Sequence, residues 1–279
     1  MKKQGTATNT VIYAVLVMLT ILFAAPIAIV LMNSFKGKFD ILSSPFSIPN
    51  VDSFVGFENY ISGITQSGLL WSFLRSVFIT LASVTVIIIA TAMCAWYIVR
   101  SKSRFCRILY YAFVFSMIVP FQMVMFTMTY IVSSIHFNNI FGIIAVYLGF
   151  GAGLSVFMIS GFVKGVPLEI EEAATIDGCN PLQTFFTVVL PLLKPTVITV
   201  AILNAMWIWN DYLLPYLILG TRSKTLPVAI QIAMQGAYGA TDWGGVMAML
   251  VMAILPIIIF YLIAQRHIIS GVVAGAVKG

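Results

Sequence analysis

The sequence predicts an all-α fold, a polytopic membrane protein with six transmembrane helices. Hydrophobic residues make up 61% of the 279-residue chain, charged residues only 9%, and the mean hydropathy is +1.03. Several uncharged runs are long enough to cross a hydrocarbon core of about 30 Å as helices, which satisfy their own backbone hydrogen bonds in lipid. The net charge of +6 is typical of cationic loops at a membrane surface, so no nucleic-acid partner is predicted.

The apolar runs place the six spans along the chain. They are residues 11–32, 69–99, 108–132, 140–162, 196–219 and 244–264. The first run follows a basic N-terminus, but it is too long for a signal peptide and lacks a clear cleavage site, so we expect it to remain as span one. Pro120 is expected to break span three. The predicted organisation is a cytoplasmic N-terminus (1–10), a six-span domain (11–264) and a cytoplasmic tail (265–279).

The distribution of Lys and Arg orients the chain. Six spans put both termini on one side, and with the termini inside, ten Lys and Arg fall on inner segments and five on outer ones. Because cationic loops are retained in the cytoplasm, this favours cytoplasmic termini. The outer side then holds two polar loops, 33–68 and 220–242. The first is expected to contain a short helix near Glu58.

One long polar segment, residues 167–195, has the pattern of two short helices. Pro167 suits a first helical position, and Gly178 suits the left-handed residue that ends a helix. Asn180 and Gln183 have the spacing of an N-cap and its capping-box partner. Three carboxylates are expected to favour the positive end of the first helix dipole: Glu169, Glu171 and Glu172. The second helix has an apolar face at Leu182, Phe185, Phe186 and Val189. The segment is therefore predicted to be a cytoplasmic hairpin.

Asp211 is the only acidic residue well inside a predicted span. A charged residue at a helix centre costs about 2.5–3.5 kcal/mol on insertion scales, so something must compensate it. Asn204 and Trp207 share its helical face, and Asn210 adjoins it. With Gln122, beside the break in span three, these are the candidate residues of a translocation path. The alternative is a helix-helix hydrogen bond without substrate contact, and the sequence leaves both interpretations open.

The sequence contains no recognisable catalytic or metal-binding motif. There is no Gly-rich phosphate loop, no HExxH motif and no Ser-His-Asp set that falls on one face. The three cysteines show no metal-ligand spacing and are expected to be unpaired and structural. His136 and His267 are expected to be solvated residues near the membrane interface. We therefore predict that the protein is not an enzyme and holds no metal or cofactor itself.

The polar hairpin carries a recognisable spacing. It has Glu172-Ala173-Ala174, three residues, Gly178, nine residues, Val188, one residue, and Leu190-Pro191. This spacing resembles the EAA loop of ABC importer permeases, and Asp177 before the glycine resembles the sugar-importing branch. The family usually has isoleucine where this chain has Val188, which is a conservative change.

The resemblance covers nearly the whole length of the chain. It is carried by Phe57-Glu58-Asn59-Tyr60, Pro120-x-Gln122, the hairpin, Trp209-Asn210-Asp211, Thr225-Leu226-Pro227-Val228, Thr241-Asp242-Trp243-Gly244 and the glycine-containing end. Together these segments are similar to a sugar ABC importer permease of the maltose-transporter type, closest to the G-subunit side. The first outer loop and span one diverge most.

The resemblance implies a type I ABC importer permease fold and a division of labour. An extracellular solute-binding protein delivers a sugar or oligosaccharide. This chain and a second, non-identical permease subunit form the path in the lipid bilayer, and two ATPase subunits bind ATP and magnesium. The residues implied in ATPase coupling are Glu172, Ala173, Ala174, Asp177, Gly178, Leu190 and Pro191. We expect Glu172 to meet an arginine of the ATPase while Ala173 and Ala174 leave a low surface.

Two further contact regions are expected from the same resemblance. The outer loop 220–242 is expected to reach into the binding protein with Gln231, Gln235, Gly236 and Tyr238. The tail is expected to extend between the ATPase subunits with Gly271, Gly275 and Lys278, because small residues permit close backbone approach.

Other functions remain open at this stage. An ion-coupled secondary transporter would use Asp211 and Arg75, but its expected inverted repeat or second broken helix is not evident in the sequence. A membrane enzyme lacks a polar catalytic set. A membrane scaffold would differ from a transporter only in a transport assay.

Overall fold

A computed structural model describes residues 6–236 and 241–276, without the side chains of residues 6–8, 66–67 and 266–276. The described residues form helices and their connections, and an isolated bridge between Lys36 and Phe54 is their sole β-type pairing. The helices are α1 (Thr6–Asn33), α2 (Lys38–Ser43), α3 (Glu58–Ser67), α4 (Leu69–Arg100), α5 (Arg104–Ser116), α6 (Phe121–Ser134), α7 (Ile140–Val163), α8 (Leu168–Ile176), α9 (Pro181–Gln183), α10 (Leu190–Leu192), α11 (Lys194–Asn210), α12 (Leu213–Leu219), α13 (Leu226–Gln235) and α14 (Trp243–Ala276). A π-helical segment, Thr184–Val189, joins α9 to α10.

Four helices in the described part of the chain are long and apolar enough to cross a membrane singly, namely α1, α4, α7 and α14. Two further spans are bent pairs. Helices α5 and α6 meet at 107°, and the stretch Pro181–Leu192 meets α11 at 80°. With each bent pair counted as one span, the total is six, and the predicted all-α membrane fold is confirmed.

The first bent pair follows the sequence prediction. Helix α5 ends at Ser116, and Pro120 precedes α6 with φ −64° and ψ 139°. Proline lacks a backbone N–H and its ring excludes the preceding helical turn, so the helix cannot run through this point. The predicted fifth span, 196–219, is not one continuous helix in the structure. Helix α11 ends at Asn210, and α12 begins at Leu213.

The chain divides into two compact units, of which the first comprises Met1–Trp71 and Ala229–Pro256. Helix α3 is the short helix expected near Glu58. Within this unit the Asn59 amide donates to the carbonyl oxygens of Ser34 at 2.9 Å and Lys36 at 2.8 Å. The buried Lys36 ammonium in turn donates to the carbonyl of Ser44 at 2.9 Å. The first outer loop is thus tied together by buried polar contacts that its composition does not reveal.

The second unit comprises Ser72–Val228 and Ile257–Gly279 and contains the hairpin and the break near Asp211. Helix α7 packs against α5, α11 and α12. Gly153 on α7 permits the close contact with α5, because an added Cβ would lie 2.8 Å from the carbonyl oxygen of Phe113. An apolar cluster fills the hairpin end of this unit with Ala92, Val156, Val163, Phe185, Val189, Leu193 and Val200.

Candidate coupling surface and helix break

The hairpin begins and turns as its local sequence predicts. Helix α8 starts directly after Pro167, and Gly178 follows its end with φ +89°, where a side chain would be strained. Asn180 then forms a capping box: its Oδ1 accepts from the N–H of Gln183 at 2.9 Å, and its own N–H donates to Gln183 Oε1 at 2.9 Å. Pro167 lies at the N-cap of α8, one position before the predicted first helical residue.

The second arm of the hairpin is not the regular α-helix that the spacing predicts. After one turn it becomes π-helical over Thr184–Val189 and regains α-helical form at Leu190. Phe185 and Val189 are fully buried, whereas Leu182 and Phe186 are exposed. The wider π-helical turn explains why an i, i+3, i+4, i+7 stripe does not all face inward. Leu190 packs against the hairpin-end cluster, and Pro191 is exposed just before the 80° bend.

Glu171 points into the protein and is bound by α4. Its Oε1 accepts from Arg100 Nε at 2.9 Å and Nη2 at 2.7 Å, and its Oε2 accepts from the indole N–H of Trp96 at 2.9 Å. Arg100 Nη2 also donates to the carbonyl of Val166 at 2.9 Å. The pair of Arg100 and Glu171 is the only salt bridge among the described residues. Glu171 lies in the first turn of α8, as the dipole argument expects, and it also has a specific partner that the sequence did not reveal.

The neighbouring residues divide between the inside and the outside of the hairpin. Glu172, Ala173, Asp177 and Gly178 are exposed, whereas Ala174 is buried within this chain. Ala174 therefore does not contribute to the low outer surface that we expected of both alanines. Helical geometry explains the division, since Glu171 and Ala174 are three residues apart and share one face. On the outward side of α8, the Glu172 carboxylate lies beside the methyl group of Ala173.

The second candidate site is the break between α11 and α12. Asp211 follows the end of α11 with φ −74° and ψ 123°, and its side chain stabilises the start of α12: its Oδ1 accepts from the N–H groups of Leu213 at 3.0 Å and Leu214 at 3.4 Å. Its Oδ2 accepts from the hydroxyl of Tyr147 on α7 at 3.0 Å. These three donors supply the compensation that a carboxylate inside an apolar span requires.

The other candidate path residues lie in different environments. Asn204 is only 3% exposed, and its amide donates to Ser155 Oγ at 3.2 Å and to the carbonyl of Val200 at 2.9 Å. It joins α11 to α7, which is the helix-helix hydrogen bond that the sequence left open as the alternative to a place on the path. Trp207 is 41% exposed and packs edge-on against the ring of Tyr147. Gln122 and Asn210 are exposed.

The outer segment 220–242 is not simply a polar loop. It contains α13, where Leu226, Val228, Ala229 and Ile230 are buried. Gln231 is half-buried, Gln235 is exposed, and Gly236 has φ +69°. Tyr238 lies outside the described residues. The short apolar helix was missed because its ten residues cannot span a membrane and its flanks are polar.

The last helix extends beyond residue 265, where the sequence analysis placed the start of the tail. Helix α14 continues to Ala276, so Gly271 and Gly275 lie within it. Lys278 lies outside the described residues.

Sequence reasoning missed the three side chains that bind the carboxylates of Glu171 and Asp211. Arg100 and Trp96 are four residues apart at the end of α4, a spacing that places both on one helical face. That pattern was available in the sequence, but nothing in it indicates a partner 71 positions along the chain. Tyr147 lies in the middle of an apolar helix and gives no comparable signal.

Comparison with known proteins identifies related transport proteins. The sequence model of the family described as "Binding-protein-dependent transport system inner membrane component" matches residues 87–273. A probable starch degradation products transport system permease protein, AmyC of Thermoanaerobacterium thermosulfurigenes, is 38% identical over 94% of this chain and 94% of its own length. The multiple sugar-binding transport system permease protein MsmG of Streptococcus mutans is 35% identical over the full length of both chains.

A solved structure shares the fold. A chain of a bacterial ABC transporter involved in the import of the acidic polysaccharide alginate superposes with a TM-score of 0.79. The superposition covers 95% of this chain and 99% of that chain, at 22% sequence identity. At this identity the likeness supports the fold and carries no information about the substrate.

Proposed function

The chain belongs to the family of inner membrane components of binding-protein-dependent transport systems, and we propose that it forms one half of the path of an ATP-driven importer for a sugar or oligosaccharide. As a member of this family it is a multi-pass membrane permease subunit, not an enzyme. Its partners are ATPase subunits and an extracellular binding protein. A second, non-identical permease subunit would complete the path, and the ATPase subunits would bind the ATP and magnesium.

The observation that carries the proposal is the opposite placement of two adjacent carboxylates on α8. Glu171 is bound inside by Arg100, whereas Glu172 is exposed beside Ala173. A hairpin held from within and presenting a charge outward is suited to dock on a partner and to pass on its movement. Closure of the ATPases would pull α8, and through Arg100 the end of α4, as a rigid-body movement of a span.

The substrate class is inferred from the relatives, whose names refer to starch degradation products and multiple sugars. In this chain the exposed Gln122, Trp207 and Asn210 offer the amides and aromatic surface that bind sugar hydroxyls and sugar faces. Gln235, at the end of α13, is our candidate contact to the docked binding protein. This assignment requires cytoplasmic termini, the orientation that the positive residues favour.

Uptake into proteoliposomes tests the proposal. The complex of this chain with its partner permease, ATPases and binding protein would be given a labelled maltooligosaccharide outside and ATP inside. We expect uptake to require internal ATP and the binding protein, and to persist when ionophores remove every ion gradient. Uptake that needs an ion gradient but no ATP would refute the proposal.

The alternative of an ion-coupled secondary transporter has no support. Three hydrogen-bond donors within the chain already hold the Asp211 carboxylate, two from the backbone of α12 and one from Tyr147. The helix break that they stabilise accounts for the residue without a coupling ion.

A further inference from the structure

A basic cavity opens at the hairpin end of the second unit. The end of α4, the start of α5 and the end of α7 enclose about 250 Å³. Three cations line it: Lys102 in the loop after α4, Arg107 in the first turns of α5, and Lys164 after α7. No carboxylate is among the residues of its wall.

The cations of this cavity are not neutralised by the protein around them. The one salt bridge among the described residues joins Glu171 to Arg100, and neither of these residues lines the cavity. Lys164 Nζ instead lies 5.4 Å from the centre of the Tyr110 ring, a contact with an aromatic face that leaves the positive charge available. The cavity therefore has a concentrated positive charge without an internal counterion.

Two further groups favour an anion in this place. Ser103 lines the cavity and caps α5, since its Oγ accepts from the N–H of Phe105 at 3.2 Å, so the positive end of the α5 dipole lies nearby. Ser160 forms part of the wall, is fully buried, and its Oγ has no hydrogen-bond partner. A buried hydroxyl without a partner is rare in folded proteins and here faces a region of positive charge.

The position of the cavity selects the source of the anion. It lies at the end of α4, the start of α5 and the end of α7, where the predicted spans give way to the basic segment that the sequence places at the cytoplasmic membrane surface. Beside it, α5 exposes Phe105, Ile108 and Tyr111, a surface suited to acyl chains. We propose that this cavity binds the phosphate headgroup of an anionic phospholipid, with Lys102, Arg107 and Lys164 as its ligands. Basic pockets between the inner ends of transmembrane helices commonly hold such headgroups.

Native mass spectrometry of the full chain tests this site. The chain would be released from micelles that contain equal amounts of phosphatidylglycerol and phosphatidylcholine. We expect the wild-type chain to retain phosphatidylglycerol preferentially. Each cation near a membrane surface contributes about fivefold to binding of an anionic lipid, so Arg107→Gln/Lys164→Gln should weaken retention about 25-fold. The matched control, Arg104→Gln/Lys194→Gln, also removes one Arg and one Lys from this end but spares the cavity wall. It should retain the lipid as the wild type does.

The outcomes separate the lipid from its alternatives. Equal retention of the two lipids by the wild-type chain would overturn the proposal, and that comparison needs no variant. Equal loss in both double variants would assign the effect to general surface charge and would also refute the site. The last measurement adds millimolar inorganic phosphate. Displacement of the lipid by phosphate would show a site for a free anion and refute the proposal, whereas unchanged retention of the lipid supports it.

Discussion

Arg100, the last residue of α4, holds Glu171 of α8 through two hydrogen bonds of 2.9 and 2.7 Å to the same carboxylate oxygen. The Glu171 side chain is only 8% exposed, and that of Arg100 is 23% exposed. Removing either partner leaves the other charge in a poorly solvated place, so the pair strongly favours one position of α8 relative to α4. The hairpin is therefore linked to α4 by a salt bridge, in addition to its covalent connections along the chain.

Loss of this pair should destabilise the permease and loosen coupling. We expect Glu171→Gln to lower the free energy of unfolding by about 2–3 kcal/mol, at the lower end of the range for a buried pair because the guanidinium is partly exposed. Thermal unfolding of the purified chain measures this effect. In proteoliposomes the same variant should hydrolyse more ATP for each sugar imported.

A double-mutant cycle provides the control for that prediction. If the two residues act as a pair, Glu171→Gln/Arg100→Gln should cost clearly less than the sum of the single variants. Glu169→Gln, in the exposed first turn of the same helix, should stay within about 0.5 kcal/mol of wild type. Strictly additive effects of Glu171→Gln and Arg100→Gln would contradict the pair.

Glu172 is expected to act on a partner and not within the chain. As one half of a partly buried pair with an ATPase arginine, Glu172→Lys should weaken ATPase association by about 2–5 kcal/mol. Co-purification of the ATPase with the tagged permease measures this loss. Reversal of the facing arginine to glutamate should restore part of the assembly.

The matched control for Glu172 is Glu169→Lys, an equal charge reversal on the exposed part of the same helix. It should remove only a dipole contribution of about 0.3–1 kcal/mol and leave the complex intact. If a Glu172→Lys permease still retains its ATPase and transports at the normal rate, the anchor role is wrong.

Local rules account for what the sequence predicted well. Gly178 has the positive φ that a helix-ending glycine permits, and Asn180 with Gln183 forms the capping box that their spacing indicates. Pro120 breaks span three because its ring and missing N–H act on its own turn. Each of these features depends on residues within about one turn, so the sequence contains all the necessary information.

Long-range partners account for what it could not predict. The inward direction of Glu171 depends on Arg100, and the break at Asp211 depends in part on Tyr147, 64 positions away. The Asp211 side chain accepts from the N–H groups at the start of the next helix, and Pro215, four residues later, has no N–H to donate to the Asp211 carbonyl, so this proline is a local signal for the break that the prediction overlooked. The burial of Asn204 likewise requires Ser155 on another helix.

Thiol labelling should separate the exposed from the buried polar residues of α11. A cysteine at Asn210, whose side chain is exposed, should react with a water-soluble thiol reagent in at least one nucleotide state. A cysteine at Asn204, in the contact with α7, should stay protected in all of them. The native Cys94, Cys106 and Cys179 would be replaced first, since all three are free thiols. Equal labelling at both positions would contradict the assignment of Asn204 to packing.

Substitutions at Asp211 should show that its hydrogen bonds matter more than its charge. Asp211→Asn keeps an oxygen that can cap α12 but removes the charge, so we expect a stability change below about 1 kcal/mol and ATP-driven uptake near the wild-type rate. Asp211→Ala removes the cap and the acceptor of Tyr147, so it should cost about 2–3 kcal/mol, of which the cap contributes about 1.

The matching change on the partner side is Tyr147→Phe, which removes only the hydroxyl donor. It should cost about 1–2 kcal/mol and add little when combined with Asp211→Ala, because both remove the same bond. Thermal unfolding measures the stabilities, and uptake in proteoliposomes measures transport. A stable Asp211→Asn permease that has lost all uptake would show instead that the negative charge itself is needed in the path.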